Sequence, residues 1–170
     1  MQLRKLLSED ASSFRDIRLR GLRECPSAFS SSYEEEVETP LQTIEGRLGL
    51  NKNGSVIGCI INNRVVGVVG IQREAHRKLS HKAIIWGMYV APEHRRQGIG
   101  RKLVARALDY ALTELNVLIV NLGVNTENKE ALALYESVGF RTYGTERGFL
   151  QIDDKLYDEH LMTWTRESAA

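Results

Sequence analysis

The chain is poor in cysteine, in proline and in net charge. Its 170 residues include two cysteines, Cys25 and Cys59, neither in a C-x-x-C pair nor at ligand spacing from a histidine. That argues against a disulfide-stapled scaffold and a cysteine-built zinc site, and makes a reducing cytoplasm the expected compartment. His76, His81, His94 and His160 are scattered without metal-ligand spacing, so no metal is expected. Lys and Arg together number 23 and Asp and Glu 22, a formal charge of +1, whereas a nucleic-acid groove usually carries a clear basic excess. No apolar run approaches the length of a membrane span, and Met1-Gln2-Leu3-Arg4-Lys5 is followed by no apolar signal-like core. Neither nucleic acid nor membrane is expected as a partner. No repeat, linker or low-complexity block interrupts the chain, and 42% hydrophobic with 26% charged residues suits one globular domain over 1–170.

What is present is organised around Ile84 to Gly100, IIWGMYVAPEHRRQGIG. Ile84 to Val90 is short, uncharged, β-branched and aromatic, the pattern of a strand buried on both faces, and Pro92 ends it. From Ile99, the residues Leu103, Ala107, Leu108, Ala111, Leu112 and Leu115 recur at helical spacing, with Arg101, Lys102, Arg106, Asp109 and Glu114 opposite. Arg95-Arg96-Gln97-Gly98-Ile99-Gly100 is therefore a basic glycine turn at a helix N-terminus. There the first N–H groups lack intrahelical partners, the helix dipole is positive, and glycines admit a ligand to the main chain. A phosphate or pyrophosphate suits such a turn. Charge-assisted hydrogen bonds of about 1.5–3 kcal/mol each hold it without a metal. The dinucleotide fingerprint is excluded because Leu103 stands where its third glycine belongs, and the P-loop because Gly-Lys-Ser/Thr is absent.

Around this centre, Gln2 to Leu7 predicts a first strand, and Phe14, Ile17 and Leu22 a helix that Cys25-Pro26 breaks. Ser30-Ser31-Ser32 precedes Tyr33 and the acidic run Glu34-Glu35-Glu36; Thr39-Pro40 then opens a helix ending at Gly49. Ser55 to Ile61 and Arg64 to Ile71 form a hairpin around Asn62-Asn63. Val117 to Val124 follows the long helix, and strand, helix, strand implies a right-handed crossover between parallel strands. Asn125 to Asn128 caps a helix running to about Val138, with Gly139 as its left-handed end. Phe140 to Leu150 and Tyr157 to Thr165 read as final antiparallel strands, and Glu167 to Ala170 as a frayed tail. The expected class is α+β, a mostly antiparallel mixed sheet with one parallel step.

Asn128-x-x-Ala131-x-x-x-Tyr135-x-x-x-Gly139-Phe140 carries a second pattern, whose spacings put Asn128, Ala131 and Tyr135 on one helical face. Alone it describes a capped helix with a core tyrosine. Following Arg-x-x-Gly-x-Gly in this order, it makes the chain resemble the GNAT superfamily of N-acetyltransferases over about Ser55 to Trp164. The resemblance implies a sheet whose parallel strands splay apart, with Met88, Tyr89 and Val90 lining a cleft for the pantetheine arm of acetyl-coenzyme A. It further implies that Arg95, Arg96, Gln97, Gly98, Ile99, Gly100 and Arg101 grip the pyrophosphate and that Asn128 contacts the cofactor. Tyr135 would lie beside the thioester sulfur as general acid. A homodimer is compatible with the resemblance.

In the implied reaction a neutral amine attacks the acetyl thioester while backbone N–H groups near Met88 to Val90 stabilise the oxyanion. Several members of the superfamily carry a glutamate on the central strand, where this chain has Trp86 and Met88 and no carboxylate. That leaves the general base open, with Glu34, Glu35 or Glu36, acting through water, as the candidates; with Tyr33 they fall where many members wall the acceptor site, and the same run also reads as a solvated helix face. No activated cysteine is apparent, which favours direct attack over a covalent relay. The expectation is acetyl transfer to a primary amine of a small molecule or amino acid. A protein N-terminus or lysine is the alternative acceptor, and an acyl-coenzyme A sensor without turnover the alternative function.

Overall fold

The computed structural model describes residues 1–49 and 51–166; the tail expected at Glu167 to Ala170 lies outside them. In chain order the elements are β1 (Gln2–Lys5), α1 (Ala11–Glu24), α2 (Tyr33–Val37), α3 (Leu41–Gly49), β2 (Gly54–Ile61), β3 (Arg64–Arg73) and β4 (Lys82–Val90). They continue with α4 (Ile99–Thr113), β5 (Ile119–Asn125), α5 (Lys129–Ser137), β6 (Arg141–Ile152) and β7 (Lys155–Thr165). The strands form one sheet in the order β1-β2-β3-β4-β5-β7-β6, antiparallel throughout except for the β4–β5 pair. This is the mixed α+β architecture expected from the pattern. The β2–β3 hairpin turns on Asn62 and Asn63, at φ 49° and 60°, the left-handed pair a two-residue turn requires. Pro40 presents its carbonyl to the N–H groups of Thr43 and Ile44, so α3 starts at Leu41, just after the Thr39-Pro40 signal.

Alternation along the strands divides the core between the two sheet faces. Ile57, Val69, Ile71 and Ile85 pack with Leu103, Val104, Ala107 and Ala111 of α4, joined by Val120, Phe140 and Met162. On the other face Val56, Val68 and Tyr89 pack with Leu6, Ile17, Leu22, Ile44 and Leu48 under α1 and α3. Each large aliphatic side chain so buried contributes roughly 1.5–3 kcal/mol.

β4 departs from its sequence reading. It is not buried on both faces: Ile84 is 40% and Trp86 39% exposed, because the helices covering Tyr89 leave the Ile84–Trp86 half as the wall of a cavity. An uncharged run cannot distinguish a covered face from a cavity wall. The strand is also bulged. Val68 faces Tyr89 and Gly70 faces Trp86, so Gly87 and Met88 together oppose Val69, and Gly87 sits at φ 63°. The bulge reverses the alternation: Met88 and Val90 turn toward the α4 core, and Tyr89 toward α1. Pairing with β5 covers Lys82, Ala83 and Ile84 (with Ile119, Val120 and Asn121) and then ceases. Beyond Ile84 the parallel strands diverge. Among the described residues no helix is long and apolar enough to cross a membrane.

Candidate active site

The divergence of β4 and β5 opens a cleft of about 500 Å³, walled by β4 from Ile85 to Val90, β5 from Leu122 to Asn125, the start of α4 and one face of α5. Since β5 no longer pairs with β4 there, main-chain polar groups on that edge face the opening and are available to an extended ligand.

The basic turn closes one end. Gly98 caps α4 at φ 73° and Arg96 is left-handed at φ 59°, and the first helical bond runs from the Lys102 N–H to the Gly98 carbonyl at 3.1 Å. Gly100 fits closely: a Cβ there would lie 3.2 Å from both Met88 Cε and Leu134 Cδ2. Arg95 donates through Nε to the Val90 carbonyl at 2.9 Å and lies 5.6 Å from the Tyr89 ring centroid. Arg96 is free of packing, 92% exposed and 4.0 Å from Glu130. A chain of bonds roots the turn. Tyr89 donates its hydroxyl to Glu24, Arg20 Nε donates to Glu24 at 2.8 Å, and the Arg20 fork meets Glu93 at 2.7 and 2.9 Å. With its phenol so engaged, Tyr89 offers the cleft its main chain.

Met88, Tyr89, Val90, Arg95, Arg96, Gly98, Ile99, Gly100, Arg101, Asn128 and Tyr135 all line this one cleft. Gln97 is exposed and stands outside the lining. Asn128 caps α5, its Oδ1 accepting from the Ala131 N–H at 3.1 Å, which leaves its amide N–H groups for a ligand. Tyr135 is 6% exposed and packs edge-on against Phe140, with ring centroids 5.9 Å apart. Burial pushes its phenol up, so at neutral pH Tyr135 is a protonated donor.

Of the acidic stretch, Glu36 alone reaches a cavity. Tyr33, Glu34 and Glu35 line neither this cleft nor the cavity beside it; Tyr33 stacks with Arg23 at 4.0 Å, and Glu35 closes a capping box with Ser32. Glu36 lines the second cavity, of about 500 Å³, between α1, α3 and the Ile84–Trp86 half of β4. Burial pushes the Glu36 carboxyl up, but two hydrogen bonds from Arg18, at 2.6 and 3.0 Å, outweigh it and hold the group below the usual carboxylate range. Trp86 borders both cavities, whereas Trp164 packs against the α4-side core. His94 and Cys25 border the cleft, and Cys59 is buried. Among the described residues no three His, Cys, Asp or Glu side chains gather as a metal site.

One carboxylate near the cleft was not anticipated. Glu159 of β7 lies over Gly123 of β5, a cleft residue: a Cβ on Gly123 would fall 2.2 Å from the Glu159 Cδ. Burial, and then the charge of Glu146, raise the Glu159 carboxyl to about 7. The one signal in the sequence is Gly123 itself, since a glycine within an apolar strand marks a close approach, though it does not name the approaching group.

A basic glycine turn at the head of α4 is thus continuous with a slot edged by main chain that β5 leaves unpaired. The chain belongs to the acetyltransferase (GNAT) family, whose pattern matches residues 19–140. Over 96 residues it is 34% identical to N-alpha-acetyltransferase RimI of Mycobacterium tuberculosis, covering 56% of this chain and 58% of that protein. Over 81 residues it is 33% identical to a spermidine N(1)-acetyltransferase of Vibrio cholerae, covering 48% and 47%. These matches span about half the length of each relative. The fold is similar to an acetyltransferase of the GNAT family from Streptococcus pneumoniae, with TM-score 0.87 at 20% identity over 96% of this chain and 98% of that one. It is also similar to yncA from Salmonella typhimurium, a putative acetyltransferase solved with its cofactor acetyl-CoA, with TM-score 0.81 at 20% identity over 100% and 96%.

Proposed function

We propose that the chain is an N-acetyltransferase that moves the acetyl group of acetyl-coenzyme A directly to the primary amine of a small molecule. The observation that carries this reading is the convergence, in one cleft, of the glycine turn, the unpaired edge of β4 and the Tyr135 phenol. The turn and Arg96 hold the diphosphate, Asn128 donates to the arm, and the β4 edge orients the thioester.

The amine nitrogen bonds to the acetyl carbon, the carbon–sulfur bond breaks, and the departing thiolate takes a proton from Tyr135. Main-chain N–H groups at the bulge stabilise the oxyanion formed on the way. Glu159 lines a small pocket next to the cleft, with its carboxyl against Gly123 of the cleft wall, and acts as the base that takes the amine's proton through water. With its carboxyl at about 7 it is poised near the operating pH, where a general base combines availability with driving force.

Calorimetry with acetyl-coenzyme A, followed by coenzyme A release with pooled amino acids, polyamines and peptides, tests the reading. Binding with release that depends on a small amine supports it. Binding without release favours an acyl-coenzyme A sensor, and absence of binding overturns both. Relatives named N-alpha-acetyltransferases favour a protein N-terminus as the second acceptor class; release with peptides and with no free amine selects it.

A further inference from the structure

We infer that the second cavity, beside Trp86, is the acceptor site and that it recognises a carboxylate, so that the acceptor is an amino-acid-like compound bearing both an amine and a carboxylate. The inference rests on the acetyltransferase reading and names its substrate class.

Arg15, Arg18, Arg47 and Arg73 line this cavity, against the carboxylates Glu36 and Glu74. Buried guanidinium N–H groups without partners are costly, and natural proteins keep few of them. Here they belong to residues around one cavity, each such atom covered by its neighbours. Five buried side-chain polar atoms lack a hydrogen-bond partner among the described residues, and four of them, Arg15 Nε, Arg18 Nη1, Arg73 Nε and Ser55 Oγ, belong to residues lining this cavity. All four can donate. Such a set calls for an acceptor with several lone pairs and negative charge, which a carboxylate supplies.

Arg18 links this demand to the chemistry. Its side chain is 10% exposed, two of its nitrogens are spent on Glu36, and its guanidinium carbon lies 4.9 Å from the Phe29 ring centroid and 5.9 Å from that of Trp86. The remaining nitrogen, Nη1, would lie 3.4 Å from a Cβ placed on Gly87, the bulge residue lining the cofactor cleft. This unpartnered donor is covered in the empty protein and lies beside the bulge, near Trp86, which borders both cavities, so that a small shift of its cover presents it there. A carboxylate held there leaves an adjacent amine at the bulge, where the thioester is presented. Phe14, Leu19, Ile44, Leu48 and Val56 give the rest of the cavity apolar walls that suit an aliphatic or aromatic side chain. A polyamine fits poorly, because it brings more positive charge to a space lined by four arginines against two carboxylates, of which Glu36 is already paired with Arg18.

The test compares L-leucine with isopentylamine, which lacks only the carboxylate, and with spermidine. In steady-state coenzyme A release, leucine should exceed isopentylamine in kcat/KM by about 10- to 100-fold, the fold-change expected when a charge-assisted hydrogen bond is lost. Arg73→Gln should collapse that ratio while leaving acetyl-coenzyme A affinity unchanged. It also spares the Arg18–Glu36 pair, whose disruption risks the fold. A second readout needs no turnover: titration with leucine should change the emission of Trp86, using Trp164→Phe as background, and isopentylamine should not. Equal use of leucine and isopentylamine, preference for spermidine, or no change in Trp86 emission overturns the inference. If Trp86 responds to leucine yet no amine supports release, the carboxylate site stands and the transferase reading falls.

Discussion

The Glu159 carboxylate covers the α-carbon of Gly123, with 2.2 Å between its Cδ and the place a Cβ would take. β5 can bring its backbone so close to a β7 side chain only because residue 123 carries none. Gly123→Ala should swing the carboxylate aside. The clashing atoms are the far end of a flexible side chain, so the cost to stability should be small, within about 1 kcal/mol. Turnover should fall as far as in Glu159→Gln, and the double variant should fall no further, because both changes remove one function. Steady-state rates of the three variants, with a melting curve for each, check this.

Glu159 also sets a pH dependence. Its carboxyl, raised to about 7 from an ordinary 4.5, binds its proton more tightly in the folded chain. That contribution to stability is fully present below about pH 4.5 and is lost as pH rises through about 7. Glu159→Gln should therefore melt above the parent protein at pH 8, and the gap should close toward pH 4.5. In kinetics, an acceptor amine of pKa about 10.4 separates its own ionisation from that of the enzyme. The log kcat/KM profile should lose one unit of slope below pH 7 in the variant; an unchanged slope would show that the base is another group.

Tyr135→Phe removes the proton donor and keeps the ring edge-on against Phe140. A general acid typically contributes about 10²–10⁴-fold, so kcat should drop by that order while the Kd for acetyl-coenzyme A stays within about twofold. Rapid-quench single turnovers, which isolate chemistry from product release, are the appropriate measurement.

Cys25 borders the cleft as a free thiol, which makes a covalent acetyl-cysteine relay worth excluding directly. Direct transfer predicts that Cys25→Ser retains turnover and that initial-rate plots in both substrates intersect. Parallel lines, together with an inactive Cys25→Ser, would establish the relay instead.

The sequence by itself determined the frame of this site. Arg95 to Gly100 reads as an anion-binding helix start because glycine and arginine act through the local backbone, within one turn of chain. Asn128 and Tyr135 share a face because helical spacing alone places them there, and Asn62-Asn63 makes its hairpin for the same local reason. The tertiary structure decided what depends on distant segments meeting. Whether Ile84 and Trp86 are covered rests on where α1 and α3 come to lie, and that packing leaves them facing a cavity. The acidic run at Glu34 to Glu36 looked poised for an amine, but Arg18, 18 residues before Glu36, neutralises the one carboxylate that reaches a cavity. Glu159 gains its raised ionisation from burial over a strand 36 residues earlier. Charge and burial at a point in space are sums over neighbours the chain order does not reveal, so the glycine turn at the head of α4 was legible in the sequence and the gathering of arginines around the second cavity was not.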